Sequence, residues 1–318
     1  MKNLLKRSGS SRILLLLAVL WIAVILLFAA LRPTMFSAAT VTTVLQFSTI
    51  LALVSLGQCL VILAGGAGID LSVGGTVSLS VVLAMLAVKA GMPPALLPIG
   101  CVVCGLLLGL FNGLLVTRLK ILPLIATLGT LFVYSGMALA LTGGGAQSGV
   151  PTWLLPWGRG MILSMPMPFV TLVVPVFVIA AVLLLYSAWG RWLFAMGFNE
   201  RSARLVGIPV DRARLLVYGL SGLLAGLAGL VSLAWLGSAR PNIGQNLELE
   251  SLTAVMLGGV AISGGIGGVG GVIAAVILLV TLKTGLLQLN VNTVWQVGIV
   301  GALLIAVLLI ERLSKRWS

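Results

Sequence analysis

Charged residues are rare in this chain, and they concentrate in one polar stretch that runs from Gly197 to Arg214 (GFNERSARLVGIPVDRAR). Glu200 and Arg204 are four residues apart, so on a helix they would share one face and attract each other. Asn199, just before them, is a residue type that caps helix starts. The spacing predicts a short charged helix over residues 200–206, whose chemistry is ion pairing and contact with a partner surface.

Residues that direct the backbone follow this predicted helix. Gly207 permits a left-handed conformation and Pro209 fixes φ, so together they end the helix at a defined angle. Asp211 is predicted to cap a second helix, which becomes hydrophobic from Leu215 onward. A charged helix held between two apolar segments is suited to act as a lever for a soluble partner.

The motifs of several common enzyme classes are missing. The chain has no histidine, which excludes a Ser-His-Asp triad and a zinc protease motif. It has a single CxxC pair, Cys101 and Cys104, and without histidine or a second pair we expect no metal site. No phosphate-binding P-loop motif occurs. We expect no enzyme activity and no cofactor in this chain, and any ATP must be handled by a partner.

Composition indicates a membrane protein. Of 318 residues, 60% are hydrophobic, 8% are charged and 40 are glycine, too little polar surface to cover a globule in water. The net charge of +13 comes from basic residues at the ends of apolar runs, which indicates contact with lipid head groups and no nucleic-acid partner. We predict an all-α polytopic protein with a single membrane domain over residues 1–318.

Apolar runs long enough to cross a bilayer recur about ten times. The first carries no signal-peptidase motif and is predicted to be an uncleaved span. The predicted spans are 13–31, 43–64, 71–89, 95–117, 121–142, 169–189, 214–237, 251–263, 271–289 and 294–311.

Charge asymmetry predicts the orientation. With both termini inside, fourteen Lys and Arg residues fall on the cytoplasmic side and five outside, as the positive-inside rule requires. Residues 190–214 then form a cytoplasmic loop, and residues 142–168 and 237–250 form outward loops.

Asp70 and Asp211 fall in different compartments in this orientation, which excludes an aspartyl catalytic pair. The outward loop 237–250 is the most polar and is the predicted external contact, through Arg240, Asn242, Glu248 and Glu250.

Glycine-rich segments at 65–75 and 258–271 interrupt the apolar pattern and are predicted to break helices at membrane depth. Asp70 lies in the first of them. It is predicted to cap the following helix by accepting from the amides of Ser72 and Val73, and a direct role in transport is the alternative. The polar residues that apolar runs offer to a solute path are Gln46, Gln58, Asp70, Asn112 and Thr127.

Small residues also recur every four positions in two spans, at Gly105, Gly109 and Gly113 and at Gly222 and Gly226. This spacing lets helix backbones approach closely. Packing within the chain explains the pattern, and a contact with a second copy is the alternative.

Four ordered segments carry a family resemblance that covers nearly the whole chain. They are GGAGIDLSVGG at 65–75, FNGLLVTRLKILPLIATLGT at 111–130, GFNERSARLVGIPVDRARLLVYGLSGLLAGLAG at 197–229 and LELESLTAVMLGGVAISGGIGGVGG at 247–271. Together they resemble the ribose-type monosaccharide permeases of bacterial ATP-binding-cassette importers. Galactofuranose, xylose and autoinducer permeases look similar, and branched-chain amino acid permeases are more distant.

The resemblance implies a permease domain in the bacterial inner membrane. Two permease subunits, identical or paralogous, would form a central path, cytosolic ATPase subunits would drive it, and an external solute-binding protein would deliver a monosaccharide. The predicted coupling residues are Asn199, Glu200, Arg201, Ala203, Arg204, Gly207 and Ile208. Arg201 and Arg204 would make charged contacts with the ATPase, and Ala203 would permit close approach. Alternatives are a self-sufficient channel or secondary carrier, or, among importers, a quorum-signal or branched-chain amino acid permease.

Overall fold

The computed structural model describes the backbone of residues 8–316 and the side chains of residue 15, residues 17–32 and residues 35–309. The basic residues Lys2, Lys6 and Arg7, which enter the orientation argument, lie outside the described residues. The described part is a bundle of α-helices with two very short strands. The helices are α1 Ser8–Leu31, α2 Ala38–Leu63, α3 Val73–Lys89, α4 Leu97–Thr117, α5 Pro123–Thr142, α6 Leu155–Arg159, α7 Val174–Tyr186, α8 Ala188–Phe198, α9 Glu200–Leu205, α10 Val210–Leu236, α11 Leu247–Leu257, α12 Val269–Gln288 and α13 Thr293–Arg316.

Six helical segments of the described part are long and apolar enough to cross a membrane: Ala38–Leu63, Pro94–Thr117, Pro123–Thr142, Phe169–Tyr186, Val210–Leu236 and Val269–Gln288. Shorter apolar helices cover Leu17–Leu31, Val73–Lys89 and Thr293–Leu309. The predicted all-α membrane architecture is confirmed, but the count of ten spans is not. The predicted span 251–263 corresponds to α11, whose 11 residues extend only about 16 Å at 1.5 Å per residue.

Local signals fix several helix ends. Ser37 caps α2 by accepting from the amide of Thr40 at 3.3 Å, and Ser187 caps α8 by accepting from the amide of Gly190 at 3.0 Å. Gly143 is the C-cap of α5, and its φ of 59° is left-handed. The residues that connect α5 to α7 include a two-residue hairpin, with β1 Met161–Ile162 paired antiparallel to β2 Met165–Pro166.

The closest helix contact joins α4 to α10 through the two predicted glycine stripes. A Cβ added to Gly222 would collide with Gly105 and Gly109, and one added to Gly105 would collide with Gly222 and Gly226. Gly113 approaches Leu215 in the same way. The stripes therefore serve packing within the chain, because only the absence of side chains lets these backbones meet.

Both glycine-rich segments interrupt helices, as predicted. The first separates α2 from α3, with Gly65 and Gly66 in left-handed conformations, and the second separates α11 from α12. The start of α3 lies beside the middle of α10. Asp70, just ahead of α3, accepts a hydrogen bond from Ser221, which is near the middle of α10. The start of α3 meets the start of α11, where the amide of Gly244 donates to Ser78 Oγ at 3.0 Å.

The two ends of α10 define the two ends of the bundle. The α9 end contains α9, the first turn of α10 and Lys120, which pairs with Asp211 at 3.2 Å. The hairpin end contains β1, β2 and α6, whose Arg159 donates to the carbonyl of Trp235 at 2.9 Å. Asp211 lies inside the first turn of α10, whose N-cap is Pro209. The predicted capping role of Asp211 is therefore wrong, and ion pairing takes its place.

Candidate coupling site and solute path

The short helix predicted after Asn199 is present as α9. The side chain of Asn199 accepts from the amide of Ser202 at 2.9 Å, which confirms the cap. The helix ends at Leu205, one residue earlier than predicted, and Gly207 follows with φ of 83°. Residues 190–214, predicted as a loop, are mostly helical, since α8 precedes α9 and α10 begins at Val210.

An ion-pair network fastens α9 to the start of α10. Arg204 Nη2 lies 2.8 Å from Glu200 Oε1 and 2.7 Å from Asp211 Oδ1, and Arg204 Nη1 donates to Asp211 Oδ2 at 3.1 Å. Lys120, in the turn between α4 and α5, reaches the same Asp211 carboxylate. One arginine thus holds two carboxylates from two helices, the forked geometry for which a guanidinium is suited.

Arg214 extends this network into the bundle. Its Nη2 donates to Glu200 Oε2 at 2.7 Å, and its side chain is largely buried, whereas the other members of the network are partly exposed. The same nitrogen lies against Gly66, where a Cβ would overlap it. Glycine at position 66 therefore admits the guanidinium, and Arg214 connects α9 to the break between α2 and α3.

The charges of α9 are stabilised by these contacts. The hydrogen bond from Arg214, followed by that from Arg204, holds the pKa of Glu200 below its usual value despite partial desolvation. The hydrogen bonds that Arg204 donates to Asp211 and Glu200 raise its pKa. Both groups are therefore charged over the whole physiological pH range, and the ion pairs do not depend on pH within it.

The surface of α9 combines an exposed cation with exposed apolar side chains. Arg201 is exposed, and Leu205 and Val206 are 81% and 76% exposed. Ala203 is only 2% exposed, so its side chain packs within its own subunit, contrary to the predicted close approach to a partner. Arg204 is likewise engaged inside the chain.

Two further predicted coupling residues shape the exit from α9. Ile208 is partly buried against the core, and its amide donates to the carbonyl of Ala203 at 3.1 Å. Gly207 is exposed and donates its amide to the carbonyl of Arg204 at 3.1 Å. These bonds fold the chain back onto α9, so the segment that follows leaves at a fixed angle.

A buried polar cluster lies halfway along α10. Asp70 Oδ1 accepts from the amide of Ser72 at 3.1 Å and from its hydroxyl at 2.6 Å, and Oδ2 accepts from Ser221 Oγ at 2.8 Å. Asn112 of α4 donates to Ser72 Oγ at 2.6 Å. The predicted contact with the amide of Ser72 is confirmed. The N-cap of α3 is Ser72, and no side chain caps its first turn, so the predicted capping role of Asp70 is wrong. The carboxylate thereby joins the helix break to α4 and α10 through hydroxyl and amide donors.

The five predicted path residues lie inside the subunit. Gln46, Gln58, Asp70, Asn112 and Thr127 are each at most 9% exposed. Thr127 donates to the carbonyls of Pro123 and Ile69. Gln58 is fully buried, and neither side-chain polar atom has a hydrogen-bond partner. Asp70, Asn112 and Thr127 thus join different segments of one chain, and contact of the five residues with a solute stays a prediction.

The predicted external contact residues separate into two groups. Arg240 and Asn242 are exposed. Glu248 and Glu250 instead belong to α11, where a Cβ on Gly74 would meet the Glu248 carboxylate and Glu250 pairs with Lys283 at 2.6 Å. The segment predicted as a surface loop therefore descends into the bundle, because Gly244 and Gly74 allow the two backbones to touch.

Comparison with known proteins identifies the family. Residues 40–308 match the family described as the permease component of branched-chain amino acid transport systems. The chain belongs to this permease family. It is 38% identical to the ribose import permease protein RbsC of Bacillus subtilis (strain 168) over 290 residues, which cover 91% of this chain and 89% of that relative.

Other relatives of this permease include autoinducer 2 import system permease proteins LsrC. The one from Yersinia enterocolitica is 34% identical over 91% of this chain and 81% of its own length. The one from Klebsiella pneumoniae is 34% identical over 98% of this chain and 88% of its own length. No solved structure matches the chain. These relatives confirm the resemblance to ribose-type permeases, and with the apolar helices they show a multi-pass membrane protein whose family members are transport components and not enzymes.

The sequence analysis does not single out Arg214, Leu205 and Val206 for the candidate coupling site of this permease. Arg214 enters the orientation argument only as a topological charge, although it makes the most buried contact of the network. Leu205 and Val206 lie in the predicted helix, but their apolar side chains are exposed beside charged ones. The sequence signal for such a contact surface is the apolar pair Leu205 and Val206 within the most polar stretch of the chain.

Proposed function

We propose that this chain is the permease subunit of an ATP-binding-cassette importer that moves a monosaccharide, a ribose-like pentose or a hexose, into the cytoplasm by alternating access. It would act with a second permease subunit, identical or paralogous, with cytosolic ATPase subunits that bind the ATP and Mg²⁺, and with an external solute-binding protein. The family match and the ribose and autoinducer import permeases among its relatives support this class.

The observation that carries the proposal is the attachment of α9 to α10. A helix of six residues is too short to be stable alone in water, yet α9 is held by two arginines and presents Arg201, Leu205 and Val206 outward. Such a surface fits a groove on an ATPase subunit, where apolar side chains are buried and the cation finds an acidic partner.

Force on α9 has a continuous route through the subunit. The ion pairs transmit the force from α9 to the start of α10. From α10, the glycine contacts transmit it to α4, and the Asp70–Ser221 bond transmits it to the break between α2 and α3. Since the elements along this route are rigid, closure of the ATPases would tilt the bundle and switch the open side of the path.

The proposed orientation places the α9 end and both termini in the cytoplasm of a bacterial inner membrane. The charge asymmetry supports it, and so does the position of α9, because a docking surface for a cytosolic ATPase must lie on that side. Labelling of single cysteines at positions 205 and 240 with an impermeant maleimide in intact cells tests it. Labelling at position 240 alone is expected, and labelling at position 205 alone would reverse the orientation.

Reconstitution in liposomes tests the function itself. We expect uptake of a radiolabelled pentose or hexose only when the chain is combined with ATPase and binding-protein subunits from the same genome and ATP is supplied on the ATPase side. Flux of the same sugar through the chain alone, without ATP, would instead support a self-sufficient channel or carrier. Competition by autoinducer 2 or by leucine separates the two other importer classes from sugar import.

A further inference from the structure

A cavity of about 300 Å³ lies towards the hairpin end of the bundle, between α2, α11, α12 and the adjoining ends of α10 and α13. Its position follows from the helix ends, since Lys283 is near the end of α12 and Trp235 is near the end of α10. Its volume falls at the lower limit of small-molecule sites in proteins. None of the residues predicted from the sequence for the solute path lines it.

The polar centre of this cavity is the ion pair between Lys283 of α12 and Glu250 of α11. Lys283 Nζ lies 2.6 Å from Glu250 Oε1, and the two side chains are 32% and 14% exposed. Charged residues within apolar helices are costly and occur mainly where they face a pathway or a wet cavity. Among the described residues this bond is the pair's one side-chain hydrogen bond, so Glu250 Oε2 and the other ammonium protons can still bind a ligand.

Uncharged polar groups and aromatic rings complete the lining. Gln245, Gln296, Thr284 and Thr293 supply amides and hydroxyls. Phe47 and Trp235 also line the cavity, with ring centroids 5.1 Å apart and planes at 85°. Aromatic rings can cover the apolar C–H face of a cyclic polyol while amides, hydroxyls and ions bind its hydroxyl groups.

The charge balance of the lining selects among small solutes. Lys283 and Glu250 are the charged residues in it, and together they are neutral. An anionic or cationic solute would be attracted by one and repelled by the other. A neutral polyol can bond to the intact pair without separating it.

We infer that this cavity is a binding site for one neutral polyhydroxylated solute, a monosaccharide in cyclic form, held by the Lys283–Glu250 pair and by the rings of Phe47 and Trp235. The inference rests on the proposed transport function and names where its solute is bound within the subunit. On the proposed orientation the site is nearer the outer end of the bundle, where the solute would first leave the binding protein.

Thiol protection tests the site. Thr293→Cys places a thiol on the cavity, and Val294→Cys, at the neighbouring exposed position outside the lining, is the matched control, both in a Cys104→Ser background of the full chain in nanodiscs. Among D-ribose, D-xylose, D-galactose and D-glucose, at least one is expected to slow N-ethylmaleimide labelling at position 293 severalfold and none at position 294. Absence of protection by all four sugars, or protection by L-leucine alone, overturns the inference.

Replacement of the pair separates binding from folding. Glu250→Gln is expected to raise the sugar concentration for half-protection about tenfold, since a hydrogen bond to a charged group is lost. If this single variant misfolds because Lys283 is left unpaired, the double variant Glu250→Gln/Lys283→Met removes both charges, and it must lose protection while it keeps its melting temperature. Unchanged protection in the double variant contradicts the site.

The site and the proposed function can fail separately. ATP-dependent uptake by the assembled transporter without any sugar protection at position 293 would reject the cavity and leave the importer standing. Sugar protection at position 293 together with ATP-independent flux would reject the importer and leave the cavity as the binding site of a channel or carrier.

Discussion

Arg214 donates from Nη2 to Glu200 Oε2 over 2.7 Å and thereby ties the exposed helix α9 to the largely buried helix α10. Glu200 binds Arg204 with its other oxygen, so a single carboxylate bridges two arginines. Because Arg214 is buried, this contact is less screened by solvent than the exposed pairs around it. It is therefore the contact through which α9 and α10 are most firmly joined.

Glu200→Gln is expected to uncouple the transporter and to lower its stability. The amide cannot bridge two guanidinium groups as a carboxylate does, so α9 gains freedom relative to α10. The exposed pair with Arg204 contributes about 1 kcal/mol or less, but the buried Arg214 also loses its charged partner, which costs more. The melting temperature should therefore fall, and sugar-stimulated ATPase activity in the reconstituted importer should fall with it. Arg212→Gln, an exposed arginine next to the network, is the control and should keep full stimulation.

Arg204→Glu is expected to release α9 altogether. The new carboxylate would face Glu200 and Asp211, and the repulsion among three acids replaces the attraction on both sides. Membrane insertion should be intact, since the change lies outside the apolar helices, whereas ATPase docking, measured by co-purification, and sugar uptake should both fall. The double variant Arg204→Glu/Asp211→Arg restores one pair and should recover part of the docking. Unchanged sugar-stimulated ATPase activity in the single variant would refute this coupling role.

Acidification should not weaken the α9 network until the pH falls below the ordinary carboxylate range. The pKa of Glu200 is lower in the folded protein than in the unfolded chain. Its contribution to stability is therefore fully present above the unfolded value of about 4.3 and is lost as the pH falls through the lower folded value. ATPase docking to the reconstituted permease should be constant between about pH 5 and pH 8. A decline in docking with a midpoint inside this window would contradict the assignment if the same decline is absent from the Glu200→Gln variant, because Glu200 would then be the group that titrates.

The α9 segment and the glycine contacts could be read from the sequence because their signals are local. Asn199, the Glu200–Arg204 spacing and Gly207 each act within a few residues, and a small residue every four positions indicates close packing wherever the partner helix lies. Arg214 could not be assigned in this way, because its partner Glu200 is 14 positions away and Gly66 lies in the distant break between α2 and α3.

The cavity and the position of residues 237–250 could not be predicted from the sequence, because both depend on contacts between distant segments. Polarity alone placed Glu248 and Glu250 on an outer surface. The structure instead brings Gly244 against Gly74, which draws the following residues into the bundle and places Glu250 beside Lys283. The length of α11 was also missed, since a glycine-interrupted apolar run looks the same in the sequence whether the helix crosses the bilayer or begins halfway through it.

Gly222→Ala is expected to destabilise the subunit by about 1–3 kcal/mol, as overpacking typically does. The added methyl group would meet the backbone of Gly105 and Gly109, which cannot move without separating α4 from α10. The measurement is the melting temperature of the purified chain in detergent. Gly129→Ala in α5 is the matched control, because no atom lies within 4 Å of the added carbon, and it should be neutral or slightly stabilising through higher helix propensity.

Asp70 provides the last test, since its carboxylate accepts three hydrogen bonds in a buried cluster. Asp70→Ala leaves the hydroxyls of Ser72 and Ser221 without this acceptor, and each unsatisfied group costs about 1–3 kcal/mol. Asp70→Asn keeps the shape and one acceptor oxygen, so its loss of melting temperature should be smaller. In the double variant Asp70→Ala/Ser221→Ala, the cost should be less than the sum of the two single variants, because the hydroxyl left without its acceptor is removed as well. Additive costs would mean that the Asp70–Ser221 bond does not join the helix break to α10, and the proposed route of force would lose its central step.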